Sequence, residues 1–340
     1  MNKLLTMTPT AKKSAFSGLL PDEIITCLEA CGWECNGEIQ AMASYENRVY
    51  QIGLNDGSNV VAKFYRPDRW TDEQILEEFE FTDELVALDL PVLTPLPSPS
   101  GKTLCEHGNF RFSVYRKASG HAPGLDDPAR LEQIGRLLAR IHNCGFTRCF
   151  EERIDLTFDQ HALGSARFII TGPFLPDELQ EAYAAIAEPV LTMLDQRMQL
   201  TDPSRFGRLH GDMHVGNLLW NQAGPVLLDF DDACNGPEIQ DLWMFLSGER
   251  TEMQTNLDAL ATGYEMFRPF PSSQLTLVEC LRTMRIMHHT AWLARRWSDP
   301  AFPRAFPWFN TARFWQDHIL SLKEQLALMH EPVLALSGAA

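Results

Sequence analysis

An aspartate and an asparagine separated by four residues, followed by an apolar strand that ends in another aspartate, form a set of oxygen donors suited to moving a phosphoryl group. In this chain they are Asp212 and Asn217, within Leu209-His210-Gly211-Asp212-Met213-His214-Val215-Gly216-Asn217, and Asp229, which closes Val226-Leu227-Leu228. Transfer of a γ-phosphoryl group passes through a loose transition state, so a protein contributes position and charge neutralisation more than covalent bonds. Asp212 would orient or accept the proton of an incoming hydroxyl. Asn217 would offer a neutral amide oxygen and Asp229 a charged one to a Mg²⁺ ion bridging the phosphates of ATP, and hard oxygen ligands suit that ion.

These residues need elements that bring them together. Leu218 to Trp220 and Val226 to Phe230 read as two short strands around the turn residues Asn221 to Gly224, a hairpin with Asn217 and Asp229 on the same side. Each half alone would serve equally well as turn or cap chemistry, and it is the order and closeness of both halves that favours a site.

The upstream half supplies a cation. Asn47 to Leu54 and Asn59 to Tyr65 read as strands joined through Asp56-Gly57. Strand parity places Val61, Lys63 and Tyr65 on one face and Val60, Ala62 and Phe64 on the other, so the Lys63 ammonium lies among apolar neighbours and needs anions such as phosphates. Thr71 and Gln74 form a capping-box pattern, and Ile75, Phe79, Thr82 and Val86 continue at helical spacing. That helix carries Glu77 and Glu78, which spacing cannot separate as a partner for Lys63. Pro91 to Pro99 mark an extended connection, Phe110 to Tyr115 a strand, and Arg116 to Gly120 a hinge. A helical pattern follows from residue 128, entered at Asp127 and Pro128, with Leu131, Ile134, Leu138 and Ile141 in one stripe before Gly145, and others over 177–199, 252–268, 274–297 and 311–329.

His210-Gly211-Asp212 with Asn217 and then Asp229 resembles the aminoglycoside phosphotransferase and choline kinase branch of the protein-kinase-like fold. Ser44-Tyr45-Glu46-Asn47-Arg48-Val49-Tyr50, Lys63-Phe64-Tyr65-Arg66-Pro67, Gln74 to Glu78, Asn235-Gly236-Pro237, Gln240 to Trp243 and Asp299 to Pro303 narrow the resemblance to bacterial stress response kinases of that branch. The resemblance implies an α+β bilobal fold, with a small antiparallel sheet lobe over residues 1–116 and a larger helical lobe over 117–340. It implies a cytoplasmic, Mg²⁺-dependent kinase using ATP on a hydroxyl of protein Ser/Thr. A small-molecule kinase of aminoglycoside, choline or homoserine type is the alternative, and an inactive nucleotide-binding scaffold a further one. Ser44, Lys63 and Glu78 would hold the nucleotide, the first in a loop that lacks the usual glycine pattern. Asp229-Phe230-Asp231 stands where protein kinases have Asp-Phe-Gly, which leaves Asp231 and Asp232 as further metal ligands. Asp241 would brace the catalytic loop.

Bulk properties bound the partners. The chain has 340 residues, 45% hydrophobic and 22% charged, the profile of a globular protein large enough for two cores. Its formal charge of −16 opposes long-range attraction to nucleic acid or anionic lipid and favours a basic or neutral substrate. No apolar run approaches the ~20 residues of a membrane span, and Met1 to Ser17 shows no leader core. A monomer is expected. The eight cysteines are scattered and read as reduced. Cys27, Cys31 and Cys35 share a spacing, but Gly32 ends the helix between them. Gly101-Lys102-Thr103 is no P-loop, because Leu96 stands where that motif needs glycine. His210 and His214 are too few for zinc, His288 and His289 diverge on a helix, and Arg282, Arg285, Arg295 and Arg296 read as a solvated helix face, with contact to an acidic substrate as the alternative.

Overall fold

A computed structural model describes residues 15–337, so most of the Met1–Ser17 stretch lies outside the described residues. Helix α1 (Pro21–Ala30) begins where Pro21 suits a first turn and Asp22 and Glu23 meet its positive end. It stops ahead of Gly32, and burial pushes the thiol of Cys27 up to about 12 and that of Cys35 up to about 11.

Six antiparallel strands follow: β1 (Cys35–Met42), β2 (Arg48–Leu54), β3 (Asn59–Phe64), β4 (Pro95–Leu96), β5 (Cys105–His107) and β6 (Phe110–Arg116). They are ordered β1-β2-β3-β6-β4, with β5 beside β6. The face assignment from parity holds: Val60, Ala62 and Phe64 enter a core with α1, β2 and β6, while Tyr65 packs with Ile75 and Phe79. Strand β1 is the element that periodicity missed. Its residues are exposed apart from half-buried Cys35 and Ile39, and its register on β2 breaks between those two, so no alternation survives in the sequence.

Helix α2 (Asp72–Ala87) opens with the full Thr71–Gln74 capping box. Its Phe81 and Leu85 belong to the larger core built by the helices that follow. These are α3 (Pro128–Gly145), α4 (Gly164–Thr171), α5 (Gln180–Met198), α6 (Arg250–Tyr264), α7 (Val278–Arg296), α8 (Ala301–Ala305) and α9 (Ala312–Leu328). A π-helical turn, Asp159–Leu163, leads into α4. Embedded among them are the pair β7 (Gly207–Leu209) with β10 (Cys234–Gly236) and the hairpin β8 (Leu218–Asn221) with β9 (Gly224–Leu227). The architecture is α+β, an antiparallel sheet followed by a mostly helical assembly.

An ion pair ties α2 to β7: the buried Arg208 donates from Nη2 to Glu84 Oε2 at 2.6 Å, with its guanidinium 4.6 Å from the Phe81 ring centre. Hydrogen bonds from Arg208 and Arg148 bring the Glu84 carboxyl down to about 2. A depressed folded-state value means that the pair's contribution is complete above the ordinary value of 4.5 and is lost as pH falls towards 2. Glu84→Gln should therefore flatten the acid limb of the stability curve in that window, as read by denaturant titration at a series of pH values. A limb identical to the parent's would remove Glu84 from the acid response.

Candidate active site

Strand β7 delivers His210 to the centre of the molecule, where its backbone is fixed before any side chain acts. The N–H groups of His210 and Gly211 donate to the two oxygens of Asp241 at 2.8 and 2.9 Å, and Asp241 is wholly buried beside His142 of α3. His210 Nε2 donates to the Leu228 carbonyl at 2.8 Å, while its Nδ1 accepts the Asp212 N–H at 3.3 Å, which sets the tautomer. Gly211 has φ +84°, and a Cβ there would lie 2.1 Å from the Asp232 carbonyl oxygen. Only glycine permits that approach between the two acidic loops.

The hairpin forms as its turn chemistry requires, with Leu218 opposite Leu227 and Asn221 opposite Gly224. The next step of the ladder, Leu228 N–H to Asn217 carbonyl at 2.9 Å, sets Asn217 beside Leu228-Asp229. Asn217 Nδ2 donates to the Asp212 carbonyl at 2.8 Å, which leaves its Oδ1 directed away from that bond and without a hydrogen-bond partner among the described residues. Asp229 turns the chain in a left-handed conformation, φ 59° and ψ 71°, a region that Asp tolerates better than most residues. Its Oδ1 accepts from Lys63 Nζ at 2.8 Å, and its side chain remains half exposed.

An amide oxygen and a half-exposed carboxylate are hard donors, and they fit a divalent ion that takes its remaining ligands from phosphates and water. Among the described residues no cluster of three or more His, Cys, Asp or Glu forms a self-sufficient metal cage. His210 bonds the Leu228 carbonyl and the Asp212 N–H, and His214 stands beside the Asp212 carboxylate.

The cationic side differs from the sequence expectation. Lys63 is buried and bridges Asp229 and Asp231, at 2.8 and 3.1 Å, and these carboxylates together with Glu78 raise its proton affinity against the lowering effect of burial. Glu78 does not pair with Lys63. It is buried in the same field, and its ion-pair partner is Arg153 at 3.4 Å. The turn at Asp229 places two carboxylates nearer to the ammonium. Burial raises the Glu78 carboxyl to about 7, with Lys63 and Arg153 opposing. Glu77 points elsewhere, accepting the N–H groups of Glu152 and Arg153 at 3.0 and 2.9 Å. Asp231 is likewise taken up internally, by Lys63, Arg69 and Asn47 Nδ2, and Asp232 pairs with Arg69. Ser44 lies in the β1–β2 turn, half-buried, with a hydroxyl that has no hydrogen-bond partner among the described residues.

Sequence reading missed several residues of this site. Arg153, wholly buried, donates to the carbonyls of Ala233 at 2.6 Å and Gln74 at 3.0 Å, and to that of Asp231, so one guanidinium ties α2 to the loop after Asp229. Nothing local marks it, because its partners come from two distant segments. Truncating one member of a buried charge network leaves the others uncompensated, at a cost of about 3–5 kcal/mol. Arg153→Ala should lose that much in denaturant unfolding, and a loss under ~1 kcal/mol would show that water replaces the guanidinium.

The arginines of α7, two of them exposed, are each engaged by the rest of the fold. Arg285 Nη1 bonds Asp212 Oδ1, and Arg296 pairs with Glu46 at 2.8 Å. Glu46 also accepts from Trp292 Nε1 at 2.5 Å, and Arg66 with Arg48 grips Asp299 just ahead of α8, so the β1–β2 turn is clasped by the helical assembly. Arg282 donates to the Leu246 carbonyl at 2.6 Å, and Arg295 covers the Phe168 ring.

A family model described as "Phosphotransferase enzyme family" matches residues 38–274, a span that holds every group just described from Glu46 to Asp241. The chain belongs to this family. As a member of the phosphotransferase enzyme family it is an ATP-dependent kinase, and curated relatives agree. It is 36% identical over 322 residues to stress response kinase A of Escherichia coli K12, covering 95% of this chain and 97% of that one. It is 37% identical, with the same coverage, to the serine/threonine protein kinase RdoA of Salmonella typhimurium LT2. Among solved structures, a phosphotransferase fold of the same kind occurs in an amicoumacin kinase in complex with AMP-PNP and Ca²⁺ (TM-score 0.73, 17% identity, 93% of this chain and 96% of that one). It also occurs in a microcompartment-associated aminopropanol kinase (TM-score 0.68, 17% identity, 91% and 96%).

Proposed function

We propose that this chain transfers the γ-phosphoryl group of Mg·ATP to a Ser or Thr hydroxyl of a protein, in a bacterial stress response. The observation that carries the reading is the orientation of Asn217. Its amide nitrogen is spent on the Asp212 carbonyl, its amide oxygen has no hydrogen-bond partner among the described residues, and the Leu228 N–H bond to its backbone carbonyl sets it next to Asp229 on the other arm of the hairpin. Asn217 and Asp229 would hold the Mg²⁺, which would supply charge neutralisation for the phosphates. Lys63 holds a fixed positive charge for those phosphates, Glu78 contributes to the field that keeps it charged, and the Ser44 hydroxyl donates to a phosphate oxygen. Asp212 orients the acceptor hydroxyl and takes its proton.

Residues 1–116 act as the nucleotide lobe and 117–340 as the catalytic lobe, working in the cytoplasm. No helix among the described residues is long and apolar enough to cross a membrane. The protein acceptor rests on the relatives over most of the chain, since the fold alone serves small molecules as well. The deciding experiment offers radiolabelled ATP with Mg²⁺ to denatured lysate proteins and, separately, to a panel of hydroxylated metabolites. Label in protein Ser or Thr supports the reading, and label confined to a metabolite replaces the acceptor.

A further inference from the structure

Helix α7 presents Arg285, His288, His289, Trp292 and Arg296 at helical spacing, a single stripe. One end of the stripe touches Asp212 through Arg285, and the other touches Glu46 of the β1–β2 turn through Trp292 and Arg296. The stripe therefore spans from the proton acceptor to the loop assigned to phosphate.

Its charges are not equally committed. Arg296 is answered by Glu46, Arg69 by Asp231 and Asp232, and Lys63 by Asp229 and Asp231. Arg285 has one carboxylate within 4.0 Å among the described residues, and that is Asp212, the group the reaction needs. His214 stands 3.4 Å from the other oxygen of Asp212. Further in, burial first, and then His161, Arg295, Arg285 and Arg69, push His288 down to about 3.

We infer that the acceptor carries a negative charge close to its hydroxyl, and that Arg285 is the residue that reads it. The inference rests on the kinase reading above. For Asp212 to accept a hydroxyl proton, Arg285 must release Asp212 Oδ1. The Arg285 side chain is the more exposed of the two, so its guanidinium can turn from Asp212 to another anion. A carboxylate or phosphate on the acceptor takes over the guanidinium, in the two-pronged geometry that arginine favours, and the freed Asp212 oxygen meets the hydroxyl. An acceptor bearing an ammonium group would instead approach Arg285 and His214 directly. The formal charge of −16 draws cations from a distance, but fields are screened over about 8 Å at physiological salt, so the groups at Asp212 decide the last contact.

The test compares acceptors matched in size. One series is a Ser-centred peptide with Glu, Ala or Lys near the serine, and the other is glycerol 3-phosphate, glycerol and 3-amino-1,2-propanediol, each with saturating Mg·ATP. The expected result is a kcat/KM at least ~10-fold higher for an anionic member than for its cationic counterpart. Arg285→Ala should abolish the preference by raising the KM for the anionic acceptor with the KM for ATP unchanged. Arg285→Glu should invert it, and Arg285→Lys, which keeps the charge, should retain part of it. Preference for neutral or cationic acceptors in the parent, the same anionic preference in Arg285→Glu, or a rise confined to the KM for ATP would each overturn the assignment while leaving the kinase intact. Transfer to no acceptor, with Mg·ATP still bound, would sink the kinase reading and this inference with it.

Discussion

Asp212→Ala should keep Mg·ATP bound while losing phosphoryl transfer, with kcat lower by ~10²–10⁴-fold, the usual contribution of a positioned proton acceptor. Three features make the separation clean. The loop is held by Asp241 through the backbone of His210 and Gly211, so the Asp212 side chain is not needed to shape it. Asn217 bonds the Asp212 carbonyl rather than its carboxylate, so that tie survives the substitution. Arg285 and His214, which hold the Asp212 carboxyl well below its ordinary range against the effect of burial, are both partly exposed and can be solvated once it is gone. Removing one negative charge beside the phosphates should leave nucleotide affinity unchanged or slightly improved. Isothermal titration with Mg·AMP-PNP and single-turnover transfer would read the two quantities separately, and equal transfer rates in variant and parent would remove Asp212 from the reaction.

Asp229→Asn should strike the other half of the site. Asparagine tolerates the left-handed backbone at this position, whereas alanine would add strain of about 1–2 kcal/mol, so Asn isolates the loss of charge. Lys63 keeps Asp231 at 3.1 Å, and the local ion network persists. What disappears is the half-exposed carboxylate assigned to the divalent ion. A metal supplies several kcal/mol of charge stabilisation in such reactions, so kcat/KM for ATP should fall by ~10³-fold. The half-saturating Mg²⁺ concentration should rise with it. An unchanged Mg²⁺ dependence would mean that Asp231 or Asp232 holds the metal, although both are engaged by Arg69.

Much of this was legible in the chain itself, for reasons of range. The Asn217–Asp229 hairpin, the inward face of Lys63 and the Thr71–Gln74 cap each depend on residues within about a dozen positions, where strand parity and turn chemistry operate. The choice between Glu77 and Glu78 was not legible. Both sit on the same helical turn, and which one faces Lys63 depends on how α2 is rotated against the segments around residue 152 and Asp231. Strand β1 left no trace because an exposed edge strand with a bulge has no alternation to show. Arg285 and Arg296 looked like surface residues because their partners lie 73 and 250 positions away.

The amino-acid sequence by itself determined that the Asn217 amide and the Asp229 carboxylate meet across a short hairpin, with Asp212 five positions before Asn217. Only the tertiary structure decided the cations. Lys63 went to Asp229 and Asp231, Arg153 to Glu78 and Arg285 to Asp212, because the strength of an ion pair depends on distance and burial in the folded chain. Those are set by packing between segments that no local pattern relates.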